Sequence, residues 1–135
     1  MTNNQTSRPQ HILVVGGTGK TGSRVAARLI ELGHTVRIGS RGATPSFDWD
    51  DPGTWAATVE GVDAAYLSYY PDVSFPGAAD VIGAFARQAV EAGVGRLVLL
   101  SGRGEPDAEP AERAVRDAGA EWTVLRCAWF AQNFS

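Results

Sequence analysis

Cysteine occurs once in this 135-residue chain, at Cys127, and histidine only twice, at His11 and His34. A lone cysteine excludes an internal disulfide framework and every cysteine-rich zinc pattern, and two histidines so far apart give no metal-ligand spacing; no metal site is expected. No run approaches the ~20 apolar residues needed to span a bilayer. Residues 1–10 are polar where a signal peptide carries an apolar centre. The expectation is a soluble, cytoplasmic protein without membrane contact, its residues 1–10 a disordered tail. No cluster of Lys and Arg is interleaved with aromatics, and the net charge is −3, which argues against nucleic acid as a partner.

What is present is enough apolar material for a core: 44% of the residues are hydrophobic, and the length is that of one domain, residues 11–135. The charge is unevenly distributed. Through residue 45 the chain carries Arg8, Lys20, Arg24, Arg28, Arg37 and Arg41 against Glu31 alone, a basic first third suited to an anionic ligand.

The order of elements follows from periodicity. "HILVVGG" (11–17) is a short aliphatic run ending in glycine, as a strand covered on both faces reads. Helical spacing of Val25, Ala26, Leu29 and Ile30 predicts a helix from Lys20 to Leu32, stopped by Gly33. "HTVRIGS" (34–40) is a second strand and "SFDWD" (46–50) a short third one. Asp51 then caps a helix with Pro52 at its first position, running through Trp55 and Val59 toward Gly61. "DAAYLSYY" (63–70) makes a fourth strand. After Pro76 and Gly77 a helix carries Val81, Ile82, Phe85, Ala89 and Val90 on one face as far as Gly93. "GRLVLLSG" is a fifth strand, a helix runs from about Pro110 to Ala118, and "EWTVLRCAWF" is a sixth strand. Strands alternating with helices predict an α/β, doubly wound parallel sheet of about six strands, a Rossmann fold.

Between the first strand and the first helix stands "VVGGTGKTGSRV" (14–25), in which Gly-Thr-Gly-Lys-Thr invites comparison with a nucleoside triphosphate loop. Aligning Gly19-Lys20-Thr21 with the last three positions of G-x-x-x-x-G-K-[ST] puts the first glycine at position 14, which is Val14 inside the strand. No apolar strand ends in the Asp that would hold magnesium: "RLVLLSG" closes with Ser101 and Gly102, and "AAYLSYY" with tyrosines. The dinucleotide pattern G-x-G-x-x-G fits as Gly17-x-Gly19-x-x-Gly22, in the strand-turn-helix context that gives it weight. One glycine allows the tight turn, another lets the backbone approach a pyrophosphate, and Gly22 lets helix and strand pack closely. Amides at the helix start face the anion, while Lys20 and Thr21 add a charge and a hydroxyl near it.

The end of the second strand speaks to the coenzyme. An NAD site usually places Asp or Glu on the adenosine ribose about 20 residues beyond the glycines. Here the sequence reads Ile38-Gly39-Ser40-Arg41, without a carboxylate. Arg41 is suited to a 2′-phosphate through a charge-assisted contact, with Ser40 as a second donor, so the expected coenzyme is NADP(H).

Taken together, "GGTGKTGSRV", "RIGSRG", "FDWDDPGTW", "GVDAAYLSYYPD" and "WTVLRCAWFAQNF" resemble the NmrA-like branch of the atypical short-chain dehydrogenase/reductases, near the ergot-alkaloid-biosynthesis-type reductases. The resemblance extends over nearly all the chain from His11 onward. It implies that Gly16, Gly19 and Gly22 form the overlapping G-x-x-G-x-x-G version of the loop, with Thr18 inside it, and that Arg41 selects NADP(H). It further implies that Ser68 and Tyr69 lie along the bound coenzyme and that Asp48 lies near the adenine.

Short-chain dehydrogenases usually move the substrate proton with a tyrosine whose pKa is lowered by a lysine four residues later, assisted by a serine. Ser101 stands at the serine's place. Lys20 is the only lysine, however, and the residues four after Tyr66, Tyr69 and Tyr70 are Tyr70, Val73 and Ser74. Carbonyl reduction by that dyad is excluded, no catalytic residue is identified, and Ser101 is assigned to coenzyme contact. Two functions remain open: an NADPH-dependent reductase of a small electrophile such as a quinone or an iminium ion, or a non-catalytic NADP(H) sensor that reports to a partner protein. Members of the family are much longer than this chain, so the expectation is a coenzyme-binding half without the usual C-terminal substrate region. In that case Trp129, Phe130 and Phe134 lack cover and promote self-association. Cys127, in an apolar strand, reads as a small buried hydrophobe.

Overall fold

The computed structural model describes residues 10–16, 20–68, 77–102 and 108–127, with the backbone alone at Lys20, Thr21, Ser101, Gly102, Arg126 and Cys127. Five strands, β1 (His11–Val15), β2 (Thr35–Gly39), β3 (Ala64–Leu67), β4 (Arg96–Gly102) and β5 (Glu121–Cys127), form one parallel sheet in the order β2-β1-β3-β4-β5. Helices α1 (Lys20–Glu31), α2 (Trp55–Val59), α3 (Ala78–Glu91) and α4 (Glu109–Arg116) connect them. The chain moves outward from β1 to β2 and then returns to place β3 on the other side of β1. That reversal opens a crevice at the carboxyl ends of β1 and β3, the place where open α/β sheets bind ligands.

Alternation along the strands splits the interior into two layers. Leu13, Val15, Ala65, Leu67, Leu97 and Leu99 face the larger layer with Ile82, Phe85 and Ala89 of α3 and Ala111 and Val115 of α4. Ile12, Val14, Ala64, Tyr66 and Leu100 face the other, against Val25, Ala26 and Leu29 of α1. The apolar stripes expected on the first helix and on the helix after Gly77 attach α1, through Val25, Ala26 and Leu29, and α3 to opposite faces, whereas Ile30, expected in the first stripe, is 59% exposed. Gly33 takes φ 95° two residues beyond the end of α1, a left-handed turn open to glycine at no steric cost.

One expected strand is absent. "SFDWD" is an irregular segment, because its backbone donors are taken by a loop carbonyl and by side chains and not by a neighbouring strand. Phe47 N donates to Ser40 O at 2.9 Å. Asp48 N donates to Thr54 Oγ1 at 3.0 Å, and Asp50 N to Asp48 Oδ1 at 2.9 Å. The alternation that suggested a strand is real, since Phe47 and Trp49 both turn inward and meet edge-to-face at 5.1 Å. The fourth expected strand is shorter than its sequence run: β3 starts at Ala64, and Asp63 turns its carboxylate to accept from His11 N at 2.9 Å.

The element after "SFDWD" begins as expected with Asp51 as its cap, as a 3-10 turn (Pro52–Thr54) leading into α2. Asp51 Oδ1 accepts from Gly53 N at 3.1 Å. Asp51→Ala is expected to lower unfolding free energy by about 0.5–2 kcal/mol, measurable as a shift of the urea midpoint at unchanged slope.

Candidate functional site

The carboxyl ends of β1, β2 and β3 border a cleft of about 520 Å³, lined by residues 15–16, 39–42 and 47–50 and by Ser68. Gly16, Ser40, Arg41, Asp48 and Ser68, proposed from sequence at four separate places in the chain, line this one hollow. The register explains the convergence. β1 pairs with β2 through Val15↔Gly39 and with β3 through Val14↔Tyr66, so the turns that follow all three strands emerge at one level.

Gly16 sits at the centre of this rim. Its φ is 83°, its N–H donates to Gly39 O at 3.0 Å, and a Cβ built on it would stand 3.2 Å from Ser68 Cβ. The backbone therefore turns sharply at Gly16 and passes close to the exit of β3, where a side chain would intrude. Gly39, not singled out by sequence reasoning, makes a second close approach: a Cβ there would meet Val15 Cγ2 at 3.2 Å and Leu13 Cδ1 at 3.3 Å. Gly22 is buried in the first turn of α1, in keeping with a helix that packs closely.

Arg41 is exposed at the mouth of the cleft, on a loop tied down by its backbone. Ser40 O accepts from Ala43 N at 3.2 Å and from Phe47 N at 2.9 Å, and Arg41 O accepts from Ser46 Oγ at 3.0 Å. The Arg41 guanidinium makes no ion pair or hydrogen bond with another described residue. Its loop is anchored through backbone carbonyls, and its side chain is exposed. Arg37 presents the contrast. It lines a separate hollow of about 480 Å³ beside β2, but its Nη1 donates to the carbonyls of Thr58 and Glu60, both at 2.8 Å, and of Ala57 at 3.3 Å. That cation closes the end of α2.

Asp48 keeps its place in the cleft wall through Thr54 and Asp50, as described above, and its carbonyl accepts from Trp55 Nε1 at 3.0 Å. Trp49, which sequence reasoning did not identify as lining a site, spans the wall: its Nε1 donates to Ser68 O at 3.2 Å. The inward alternation of Phe47 and Trp49 was the available signal, and a strand reading absorbed it.

Gly17, Thr18, Gly19 and Tyr69 lie outside the described residues, as do Trp129, Phe130, Phe134 and residues 1–9. The backbones of Lys20, Thr21, Ser101 and Cys127 are placed in α1, β4 and β5. Among the described residues no group of three or more His, Cys, Asp or Glu is arranged to hold a metal, and no helix is long and apolar enough to cross a membrane.

No family model matches the chain. It is 38% identical over 133 residues to an uncharacterized oxidoreductase, YesF, of Bacillus subtilis, covering 91% of this chain and 46% of that protein. It is 31% identical over 139 residues to the agroclavine dehydrogenase of Claviceps fusiformis, covering 92% and 48%. Among solved structures, a short-chain dehydrogenase/reductase superfamily protein of Agrobacterium tumefaciens, crystallised with bound NAD, superposes with a TM-score of 0.68 at 22% identity, over 86% of this chain and 48% of that one. The chain spans about half the length of the curated relatives it matches.

Proposed function

We infer that the chain belongs to the atypical short-chain dehydrogenase/reductases, and from that premise we propose that its cleft binds NADP(H) and that it serves an NADPH-dependent reductase of a small electrophile such as a quinone or an iminium ion. The observation that carries the reading is the convergence of Gly16, Ser40, Arg41, Asp48 and Ser68 on one hollow at the switch point. A dinucleotide fits the chemistry of this wall. The turn at Gly16, left-handed and tight against Ser68, favours glycine and suits a close backbone approach to a pyrophosphate. Arg41, with no competing partner among the described residues, offers paired donors to a ribose 2′-phosphate, and Ser40 adds a hydroxyl. Asp48 lines the same cleft, and we assign it to the adenine.

Bound NADPH supplies a hydride; the residues of this chain bind and orient it. The substrates we propose are those that accept hydride with little help from a protein acid. An iminium carbon already carries its positive charge, and a quinone oxygen becomes a comparatively stable phenolate that takes its proton from water.

Calorimetric titration with NADPH and NADH tests the binding half of the proposal. Tighter binding of NADPH is expected, by roughly ten- to 150-fold, the equivalent of a charge-assisted hydrogen bond of about 1.5–3 kcal/mol. A panel of quinones and imines, followed by loss of NADPH absorbance, tests the other half. Absence of binding to either dinucleotide overturns the whole reading; binding without turnover on any electrophile leaves the sensor role standing in place of the reductase.

A further inference from the structure

We propose that Trp49 is a positioning residue for the adenosine half of the coenzyme: its indole N–H holds the segment after β2 against the exit of β3 and so fixes the width of the cleft. The inference rests on the coenzyme reading above and extends it to a residue that carries no charge.

Three chain segments frame the hollow, and each junction between them is defined. The turn after β1 is joined to β2 by Gly16 N donating to Gly39 O at 3.0 Å. The same turn lies against the exit of β3, with only 3.2 Å between a Cβ built at Gly16 and Ser68 Cβ. The third junction, between the segment carrying Asp48 and the exit of β3, is the bond from Trp49 Nε1 to Ser68 O at 3.2 Å. The first junction is a backbone hydrogen bond and the second a close packing of Gly16 on Ser68. The third is made by a side chain and can be removed alone.

The indole is well suited to the task because its orientation is set from behind. Trp49 meets Phe47 at 5.1 Å and Phe85 at 5.2 Å, both edge-to-face, the arrangement that aromatic rings prefer. Half-buried between these rings and the cleft, it has one polar atom, and that atom points across the wall to a strand 19 residues away in sequence. Trp55 makes the instructive comparison. It is buried, also packs on Phe85 at 5.4 Å, and spends its N–H on Asp48 O within the same segment. Trp55 shapes the segment; Trp49 ties it to the rest of the frame.

Calorimetry on the full chain and on Trp49→Phe, which retains a ring between Phe47 and Phe85 but lacks the N–H, tests the proposal with three probes: NADPH, 2′,5′-ADP and reduced nicotinamide mononucleotide. NADPH and 2′,5′-ADP are expected to bind roughly three- to tenfold more weakly to the variant, the worth of one hydrogen bond. Affinity for the mononucleotide and the ratio of NADPH to NADH affinity should not change. A merely structural role would lower the melting temperature and weaken all probes together, so melting curves are recorded alongside. Unchanged binding of 2′,5′-ADP, or equal loss for the mononucleotide, overturns the positioning role while leaving the coenzyme reading intact. Failure of the unmodified chain to bind NADPH overturns that reading and this inference with it.

Discussion

Phe85→Ala is expected to lower the free energy of unfolding by about 3–5 kcal/mol, the range for removing a fully buried aromatic ring. Phe85 is 0% exposed and is the ring on which three others converge: Phe47 at 5.4 Å, Trp49 at 5.2 Å and Trp55 at 5.4 Å, all edge-to-face. Its loss removes the transfer free energy of the ring and leaves a space that neighbours on α2, on α3 and in the irregular segment must fill together. They are poorly placed to do so. Phe47 and Trp49 are held by hydrogen bonds to Ser40 and Ser68, and Trp55 by its bond to Asp48, so collapse into the gap would break polar contacts. Against a total stability of about 5–15 kcal/mol for a natural domain, the loss would leave the variant close to its unfolding threshold. Urea denaturation followed by tryptophan emission measures it directly, since Trp49 and Trp55 both report on the cluster. A loss below about 1 kcal/mol would mean that the four rings do not pack as a unit.

Arg41→Ala is the second large effect, and it falls on binding and not on folding. An exposed side chain with no bonded partner among the described residues should change unfolding free energy by no more than about 0.5 kcal/mol. Removing the guanidinium should weaken NADPH by about 1.5–3 kcal/mol and leave NADH unaffected, because only NADPH presents a doubly ionised 2′-phosphate. The preference between the two coenzymes therefore collapses toward unity, a fall of roughly ten- to 150-fold. Added salt should erode the NADPH affinity of the unmodified chain more steeply than that of the variant, since one ionic contact is screened in the first and missing in the second. Equal weakening of both coenzymes would place Arg41 elsewhere than at the 2′-phosphate.

The contrast between Arg41 and Arg37 shows where sequence reasoning reaches its limit. Both are basic residues in or just after β2, and composition assigns both to the same positive first third. Only the folded chain separates them, because the carbonyls that occupy Arg37 belong to residues 57, 58 and 60, brought alongside β2 by α2.

The elements that were legible in the sequence are those whose determinants are local. "HILVV" reads as a covered strand from composition alone, α1 and α3 from apolar spacing, and the stop at Gly33 from one residue. Counting positions puts Val14 where a triphosphate loop needs its first glycine and so favours the dinucleotide reading. The parallel sheet followed from the alternation of strands and helices, since a parallel connection needs a crossover of this kind. Tertiary structure decided what depends on partners distant in the chain. Whether "SFDWD" forms a strand turned on Thr54 and Asp48 capturing backbone donors, a competition that alternation cannot register. That Gly16, Gly39 and Ser68 crowd together, and that Trp49 closes the wall, follows from strand order and register. Local sequence fixes the conformation each short stretch prefers; which stretches become neighbours is settled only when the sheet buries both its faces.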